Sequence, residues 1–566
     1  MSPAVDEPPL LRVRGLSIAY PDRAPAPSDA SFDVRRGEVV LVLGPSGSGK
    51  STLTLALDGL VPHAVDADMD GAVVVAGVDT RDSSPAALSA TVGMVFQDPD
   101  TQIVTATVLD EVAFALENLL LPIAEVLARS ERALRRLGLW ERRNDDPDTL
   151  SGGGRQRLAI ACALAVDADV LVLDEPTANL DPVGIDDVYA ALAEIAADGD
   201  RAIVLVEHDL DAAAEIATRV VVLDADGRLA VDGPLGTVLR DGYESLERMG
   251  VWLPSALVAA RTLRDAGWRM APLPLTPDAL AAAIDAQQAP EAAPALPPEP
   301  RSEGADIAIR VRGLTVRRGG RTLLDDVDLE LPRGSFTAVV GANGAGKTTL
   351  VQAIAGVVRP PRRAVVVDGL DIGRASAREV SARIGFVFQN PEHQFIAHTV
   401  FDELAHGLRI RGVAPDETRR RVDDLLARFG LDGHADAHPF RLSGGQKRRL
   451  SVGTALITGP AVLVLDEPTF GQDRARAEEL LALLDDLHRG GTTIVVVTHD
   501  LALAARHATD VAVVADGRLR AHAPAEAVFA DAGLLADAGL RLPSLHRVLA
   551  DRPAASAALA RSEARA

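Results

Sequence analysis

Two glycine-rich octapeptides carry the clearest chemistry in this sequence: Gly44-Pro-Ser-Gly-Ser-Gly-Lys50-Ser51 and Gly341-Ala-Asn-Gly-Ala-Gly-Lys347-Thr348. Both fit G-x-x-x-x-G-K-[ST]. Glycines in such a loop let backbone N–H groups turn inward around phosphate oxygens. The lysine reaches the β and γ phosphates of a nucleoside triphosphate, and the Ser51 or Thr348 hydroxyl binds Mg²⁺. One match could be an ordinary glycine turn ahead of a helix. Two matches, each after an apolar run, leave almost no room for that reading.

Each copy also has an acidic pair and a histidine after aliphatic runs. Asp174-Glu175 follows residues 170–173, and Asp466-Glu467 follows residues 462–465. Such a pair would usually cap a loop. Beside a phosphate loop, the Asp can hold the Mg²⁺ shell while the Glu orients and deprotonates the attacking water. His208 and His499 each come about 33 residues after the glutamate and precede an Asp. That placement favours a γ-phosphate contact over a structural role.

These groups need strands that end at the site and a helix that begins there. Apolar runs at 39–43, 170–173 and 203–206 read as buried strands, with counterparts at 337–340, 462–465 and 493–497. Their alternation with helical stretches predicts an α/β domain with a mainly parallel sheet. The pattern occurs twice. VRGLSIAY at Val13 pairs with VRGLTVRR at Val311, FQDPDTQIV at Phe96 with FQNPEHQFI at Phe388, and LSGGGRQR at Leu150 with LSGGQKRR at Leu442. The period, about 291 to 298 residues, is too long for a solenoid repeat and marks duplication of a whole domain. Residues 289–304, rich in Pro, Ala and Glu, read as a semi-rigid linker.

Composition narrows the function classes. A chain of 566 residues is too long for one core. A net charge of −23 argues against nucleic-acid binding by bulk electrostatics. Cys162 is the only cysteine, so no internal disulfide is possible. No run approaches the roughly 18 apolar residues of a transmembrane helix. The N-terminal residues lack the basic start and apolar stretch of a signal peptide. A cytoplasmic chain is expected, with other subunits supplying any membrane part.

In this order, the phosphate loop, LSGG, DEPT and the late histidine resemble the ATP-binding cassette ATPases. The resemblance covers nearly the whole chain apart from the linker and tails. It implies two tandem P-loop NTPase cassettes, each with a helical subdomain, plus small C-terminal extensions. It implies ATP hydrolysis with Mg²⁺ and an intramolecular, head-to-tail cassette pair with no obligate homodimer. Position by position, it implies that the first copy supplies Tyr20, Gly44, Ser46, Gly47, Gly49, Lys50, Ser51, Thr52 and Gln97 to its own ATP, and Ser151 and Gly153 of its LSGG helix to the ATP of the other copy, with Ser151 and Ser443 touching the γ-phosphate across the pair. In the second copy the corresponding set is Arg318, Gly341, Asn343, Gly344, Gly346, Lys347, Thr348, Thr349, Gln389, Ser443, Gly445 and Gln446. Ser51, Gln97, Asp174, Thr348, Gln389 and Asp466 would hold Mg²⁺. Glu175, Glu467, His208 and His499 would carry catalysis, and Asp181 and Asp473 would couple the two sites. The copies depart from each other: Arg318 stands where the first has Tyr20, Gly154 where the second has Gln446, and Arg448 where the first has Gln156. Two hydrolysis-competent sites of unequal rate are expected.

The phrase F-Q-[DN]-P-[DE]-x-Q is similar to the Gln loop of energy-coupling-factor (ECF) transporter ATPases, where coupling helices of a membrane subunit dock. The resemblance implies a transmembrane energy-coupling subunit and a substrate-binding membrane subunit as partners, no nucleic acid, and a peripheral place on the cytoplasmic face of the membrane. The cargo in such systems is a vitamin, a vitamin precursor, or a cobalt or nickel ion. Asp100, Asp110, Glu111, Glu392, Asp402 and Glu403 offer carboxylates to a basic coupling helix. A soluble ribosome-binding tandem-cassette factor is the first alternative, but its linker is long, helical and rich in Lys and Arg. A tandem sugar-importer ATPase is the second, but one of its sites is commonly degenerate, whereas Glu175 and Glu467 are both present here. The expected limits are 9–235 and 307–523 for the cassettes, 236–288 for a helical extension, 289–306 for the linker and 524–566 for the tail.

Overall fold

Aliphatic runs without polar alternation form strands where both faces are covered. The computed structural model describes residues 8–21, 23–177, 180, 182–207, 210–290, 306–469 and 474–563. In it Val39–Leu43, Val170–Asp174 and Ala202–Val206 are strands buried at every residue, as are Phe336–Val340, Val462–Asp466 and Thr493–Val497. The chain divides into two units. The first comprises Met1–Leu296 with Arg547–Ala566, the second Pro297–His546.

The first unit has a six-stranded sheet in the order Leu229–Pro234, Arg219–Leu223, Val39–Leu43, Ala202–Val206, Val170–Asp174, Val92–Val95. All neighbours are parallel except the edge strand Leu229–Pro234. The second unit repeats this with Arg518–Pro524, Asp510–Ala515, Phe336–Val340, Thr493–Val497, Val462–Asp466 and Ile384–Val387. Parallel pairing brings the carboxyl ends of the strands to one edge, where the phosphate loop and the acidic pair emerge.

Each unit also has a four-stranded antiparallel sheet, an addition to the mainly parallel architecture read from the sequence. Its strands, such as Leu11–Ala19 and Arg321–Pro332, alternate between buried and more exposed residues because one face meets solvent. In the first unit Leu11, Val13 and Val73 of that sheet pack with Val40, Val42 and Val172 of the parallel one and with Leu53 and Leu57 of the helix Lys50–Leu57. Each such side chain contributes about 1.5–3 kcal/mol on full burial. The helix that follows the phosphate loop is therefore anchored from both sheets.

The helices Lys50–Leu57 and Lys347–Ile354 start at Gly49 and Gly346, whose φ values of 91° and 104° are left-handed. A Cβ on Gly49 would stand 2.3 Å from the backbone of Ala26 and Pro27; one on Gly346 would stand 2.8 Å from the Leu323 carbonyl. Only glycine fits either place.

After the first central sheet come the helices Leu235–Asp241, Tyr243–Arg248, Ser255–Asp265 and Pro277–Asp285. Asp211 accepts bonds from Ser255 N and Oγ, both at 2.6 Å, which fastens Ser255–Asp265 to the helix Leu210–Ile216. The last helix, Pro553–Glu563, also packs on Ser255–Asp265, and the Arg552 guanidinium forks onto Asp285 at 2.8 and 2.5 Å. The final twenty residues thus group with the first unit, while Ala525–Ala530 and Ala532–Asp537 stay with the second. Of the linker expected at 289–306, only residues 289, 290 and 306 are described. No helix among the described residues is long and apolar enough to cross a membrane.

Gly49→Ala is expected to destabilise the first unit by about 1–3 kcal/mol, since it combines backbone strain with a clash. The three tryptophans, Trp140, Trp252 and Trp268, all lie in that unit, so the urea midpoint of tryptophan fluorescence reads the effect. An unchanged midpoint would contradict the account.

Candidate active sites

A glycine loop ahead of a helix turns its carbonyls toward the lysine that follows. Lys50 Nζ donates to the carbonyls of Gly44 and Pro45 at 2.9 and 3.0 Å; Lys347 Nζ donates to those of Gly341 and Ala342 at 2.7 and 3.1 Å. Both lysines are buried, so the ammonium is held over the cradle where a phosphate would sit. Gly47 and Gly344, with φ of 84° and 79°, leave the loop crest open. Ser46 and Asn343 lie exposed there, and Thr52 Oγ1 donates to the Tyr20 hydroxyl at 3.4 Å. Thr349 is half-buried on the helix beside Thr348.

The strand-end aspartates are buried beside these loops. Thr348 Oγ1 donates to Asp466 Oδ1 at 3.1 Å, and Asp174 bonds the hydroxyls of Ser51 and, at 3.4 Å, Thr54. Burial pushes the Asp466 carboxyl up from 3.8 to about 6; the Thr348 bond opposes this and the Glu467 charge adds to it. Asp174 is raised for the same leading reason, with the Ser51 bond opposing. Asp174 Oδ1 is buried without a hydrogen-bond donor among the described residues. A hydroxyl and a carboxylate with an unsatisfied oxygen are hard oxygen donors that fit Mg²⁺.

Glu175 and Glu467 adopt left-handed φ values of 49° and 48°, which is unusual for a side chain of this size. Their N–H groups are fixed by the carbonyls of Val206 and Val497 at 2.8 and 3.0 Å. Gln97 Nε2 donates to Glu175 Oε2 at 2.7 Å, whereas Glu467 Oε2 meets His499 Nδ1 at 2.9 Å. Burial works against a charged His499, but the bond and charge of Glu467 outweigh it, and the net shift is upward. The structure therefore brings the lysine, the aspartate and the glutamate to one edge of each sheet, with Gln97 in the first and His499 in the second. His208, Asp181 and Asp473 lie outside the described residues.

The remaining residues lie on other elements. Ser151 caps the helix Gly152–Ala165 by accepting from Gly154 N. Ser443 caps Gly444–Leu456 in a reciprocal pair with Gln446, and Gln446 Nε2 also meets His434. Gly153 packs close on Gly184, where a Cβ would come within 3.1 Å. Gly445 is half-buried on the same turn as Gln446. Arg318 is exposed at the hairpin end, opposite Arg321.

The docking-loop carboxylates require a correction. Glu111 and Glu403 are buried and accept the N–H groups of Val104 and Thr105, and of Ile396 and Ala397, at 2.7 to 3.0 Å. A loop leaving a strand must satisfy these amides, and the glutamates do so. Asp100 pairs with Arg155 and Glu392 with Lys447, each at 2.6 Å, and Asp402 pairs with Arg409 at 2.8 Å. Asp110 remains exposed on the helix Val108–Asn118. Each phrase also ends on an apolar residue turned outward: Val104 and Ile396 are each 66% exposed. Sequence reading also missed Glu207, buried and bonded to Thr177, whose one signal was a charge at the end of an aliphatic run; Arg448, noted only as a departure from Gln156, is buried as well.

Because the Asp466 carboxyl is raised, the folded chain holds that proton more tightly than the unfolded chain. The stability it contributes is full below about pH 4 and is lost as pH rises through about 6. Asp466→Asn is thus expected to raise the calorimetric Tm of the nucleotide-free chain at pH 7, with a smaller gain at pH 5. The same variant should lose Mg²⁺-dependent tightening of ATP binding. A lower Tm with Mg²⁺ dependence intact would refute both points.

The ABC transporter family model matches residues 27–178 and 324–470. Over 556 residues the chain is 36% identical to "Putative HMP/thiamine import ATP-binding protein YkoD" of Bacillus subtilis, covering 97% of each chain. It is 36% identical over 566 residues to a "Putative ABC transporter ATP-binding protein" of Methanosarcina acetivorans, covering 97% of this chain and 92% of that one. Among solved structures, cbiO1 from Clostridium perfringens, described as part of the ABC transporter complex cbiONQ, is 31% identical at a TM-score of 0.37, covering 43% of this chain and 99% of that one. With a family match in each unit and relatives alike along nearly the whole length, the chain belongs to the ABC transporter ATPases and carries two ATP-hydrolysing cassettes in tandem.

Proposed function

We propose that this chain is the energy-coupling ATPase of an ECF-type importer, working with a transmembrane coupling subunit and a substrate-binding membrane subunit at the cytoplasmic face of the membrane. The observation that carries this is the doubled docking loop. In each unit a Gln, bonded to Glu175 in the first, and an apolar tip at Val104 or Ile396 belong to one nine-residue phrase, braced from below by a buried glutamate. A chain with two such tips suits a membrane partner with two coupling segments. The import reading draws on the likeness to YkoD, whose name gives HMP/thiamine as cargo; a thiamine precursor is accordingly the favoured cargo within the vitamin, precursor and metal-ion class.

Within each site Lys50 or Lys347 would leave its loop carbonyls to bind the β and γ phosphates of ATP. Ser51 with Asp174, and Thr348 with Asp466, would hold Mg²⁺ together with Gln97 or Gln389. Mg²⁺, when bound, offsets charge on the phosphate oxygens. Glu175 or Glu467, fixed by its strained backbone, would orient the attacking water and take its proton. His208 and His499 would contact the γ-phosphate. Ser151 and Ser443, at the amino ends of their helices, are suited to bind phosphate oxygens, and pairing of the two cassettes would bring each to the other's nucleotide.

Glu175→Gln or Glu467→Gln is expected to retain ATP binding and to cut turnover at the altered site by about 10²–10⁴. Steady-state hydrolysis at saturating Mg-ATP tests it; full turnover in both single variants would remove the assignment. Val104→Glu with Ile396→Glu should keep hydrolysis by the isolated chain and lose co-purification with the membrane subunits. Normal assembly by that double variant would rule out docking through these tips.

A further inference from the structure

The two docking loops are tied to their signature helices in different ways. In the second unit the helix Gly444–Leu456 holds the loop at three places. Lys447 pairs with Glu392 at 2.6 Å. Arg448 donates from Nη1 to the Phe388 carbonyl at 2.6 Å and from Nη2 to the Gln389 carbonyl at 2.5 Å. Gln394 Nε2 donates to the Ser451 carbonyl at 2.9 Å and to the Thr454 hydroxyl.

In the first unit the corresponding helix, Gly152–Ala165, reaches the loop by the ion pair of Arg155 with Asp100. Gln156 stands in place of Arg448, fully buried, with neither amide atom hydrogen-bonded among the described residues. Gln102, the counterpart of Gln394, turns back to its own strand. It accepts from Phe96 N at 2.9 Å and donates to the Met94 carbonyl at 3.1 Å.

We propose that Arg448 is a positioning residue that clamps the second docking loop to its signature helix, so that in this cassette the two elements move as one body while in the first they move separately. A guanidinium presents two parallel N–H donors, which suits two consecutive carbonyls, and its charge strengthens both bonds. Arg448 is buried, and a guanidinium carries its charge at neutral pH. A buried cation that lets go of its acceptors is heavily penalised, and the clamp therefore persists when the loop is pulled. Holding the Gln389 carbonyl also fixes where the Gln389 side chain leaves the loop. This last step rests on the proposed role of Gln389 at the nucleotide; the clamp itself does not.

Hydrogen–deuterium exchange on the full chain tests it. In the native chain residues 389–395 are expected to exchange at least about tenfold more slowly than residues 97–103, since local opening there must break the clamp. Arg448→Gln, which installs the residue of the first copy, should erase the difference, and Arg448→Lys should keep part of it. The same Arg448→Gln variant should lose about two- to tenfold in kcat with the KM for ATP within about twofold, as misplacement of a site group does. Equal exchange of the two loops in the native chain would overturn the proposal, as would unchanged exchange at 389–395 in Arg448→Gln. If that variant loses cooperative unfolding, Glu392→Gln at the surface decides: faster exchange at 389–395 supports the clamp, and no change overturns it. Exchange needs neither turnover nor a membrane partner, so its failure leaves the importer reading standing, and failure of the Glu467→Gln test leaves the clamp standing.

Discussion

A carboxylate at the end of a strand buried on both faces is the costly feature around which each unit is arranged. Asp174 and Asp466 lose most of their hydration, and burial drives both carboxyls upward. Their strands are held in the middle of a parallel sheet, so the aspartates cannot swing out to water. The compensation comes from the neighbouring helix, which brings Ser51 and Thr54, or Thr348, against the carboxylate. That helix reaches the aspartate only because its left-handed glycine start and its apolar face fix it between two sheets. A divalent cation would satisfy what the hydroxyls leave unmet, so the cost of burying the carboxylate becomes binding selectivity.

Duplication has not produced two identical sites. Gln156 is buried without a hydrogen bond among the described residues in the first, where Arg448 holds two loop carbonyls in the second. Glu207 holds Thr177 in the first unit, and Thr498 stands in its place in the second. Glu175 and Glu467 nevertheless keep the same left-handed backbone, tied to the adjacent strand by an N–H bond. The backbone that places each glutamate is preserved in both copies, while buried groups around it differ.

The docking loops follow a different logic. Glu111 and Glu403 are turned inward because the loop's own amides need them, while Asp100 and Glu392 pair with the signature helix and Asp110 stays exposed. The exposed tips are left to Val104 and Ile396. Contact through an apolar tip gains from burial wherever a partner covers it, and the inward charges keep the loop in shape to present it.

The sequence by itself determined the duplication, the parallel central strands, the phosphate loops and the acidic pairs. Each of these is local: a glycine spacing, an aliphatic run or a strand end reads the same in any context. Docking chemistry was misread at Glu111 and Glu403, since an acidic residue in a helical stretch carries no mark of whether it faces a partner or its own loop. The antiparallel sheets and the grouping of residues 547–566 with the first unit needed tertiary structure, because long-range pairing such as Arg552 with Asp285 leaves no periodic trace. Arg448 shows the limit most plainly. In the sequence it is one more basic residue after LSGGQ, and only the fold buries it beneath two loop carbonyls, where its charge has nowhere else to go.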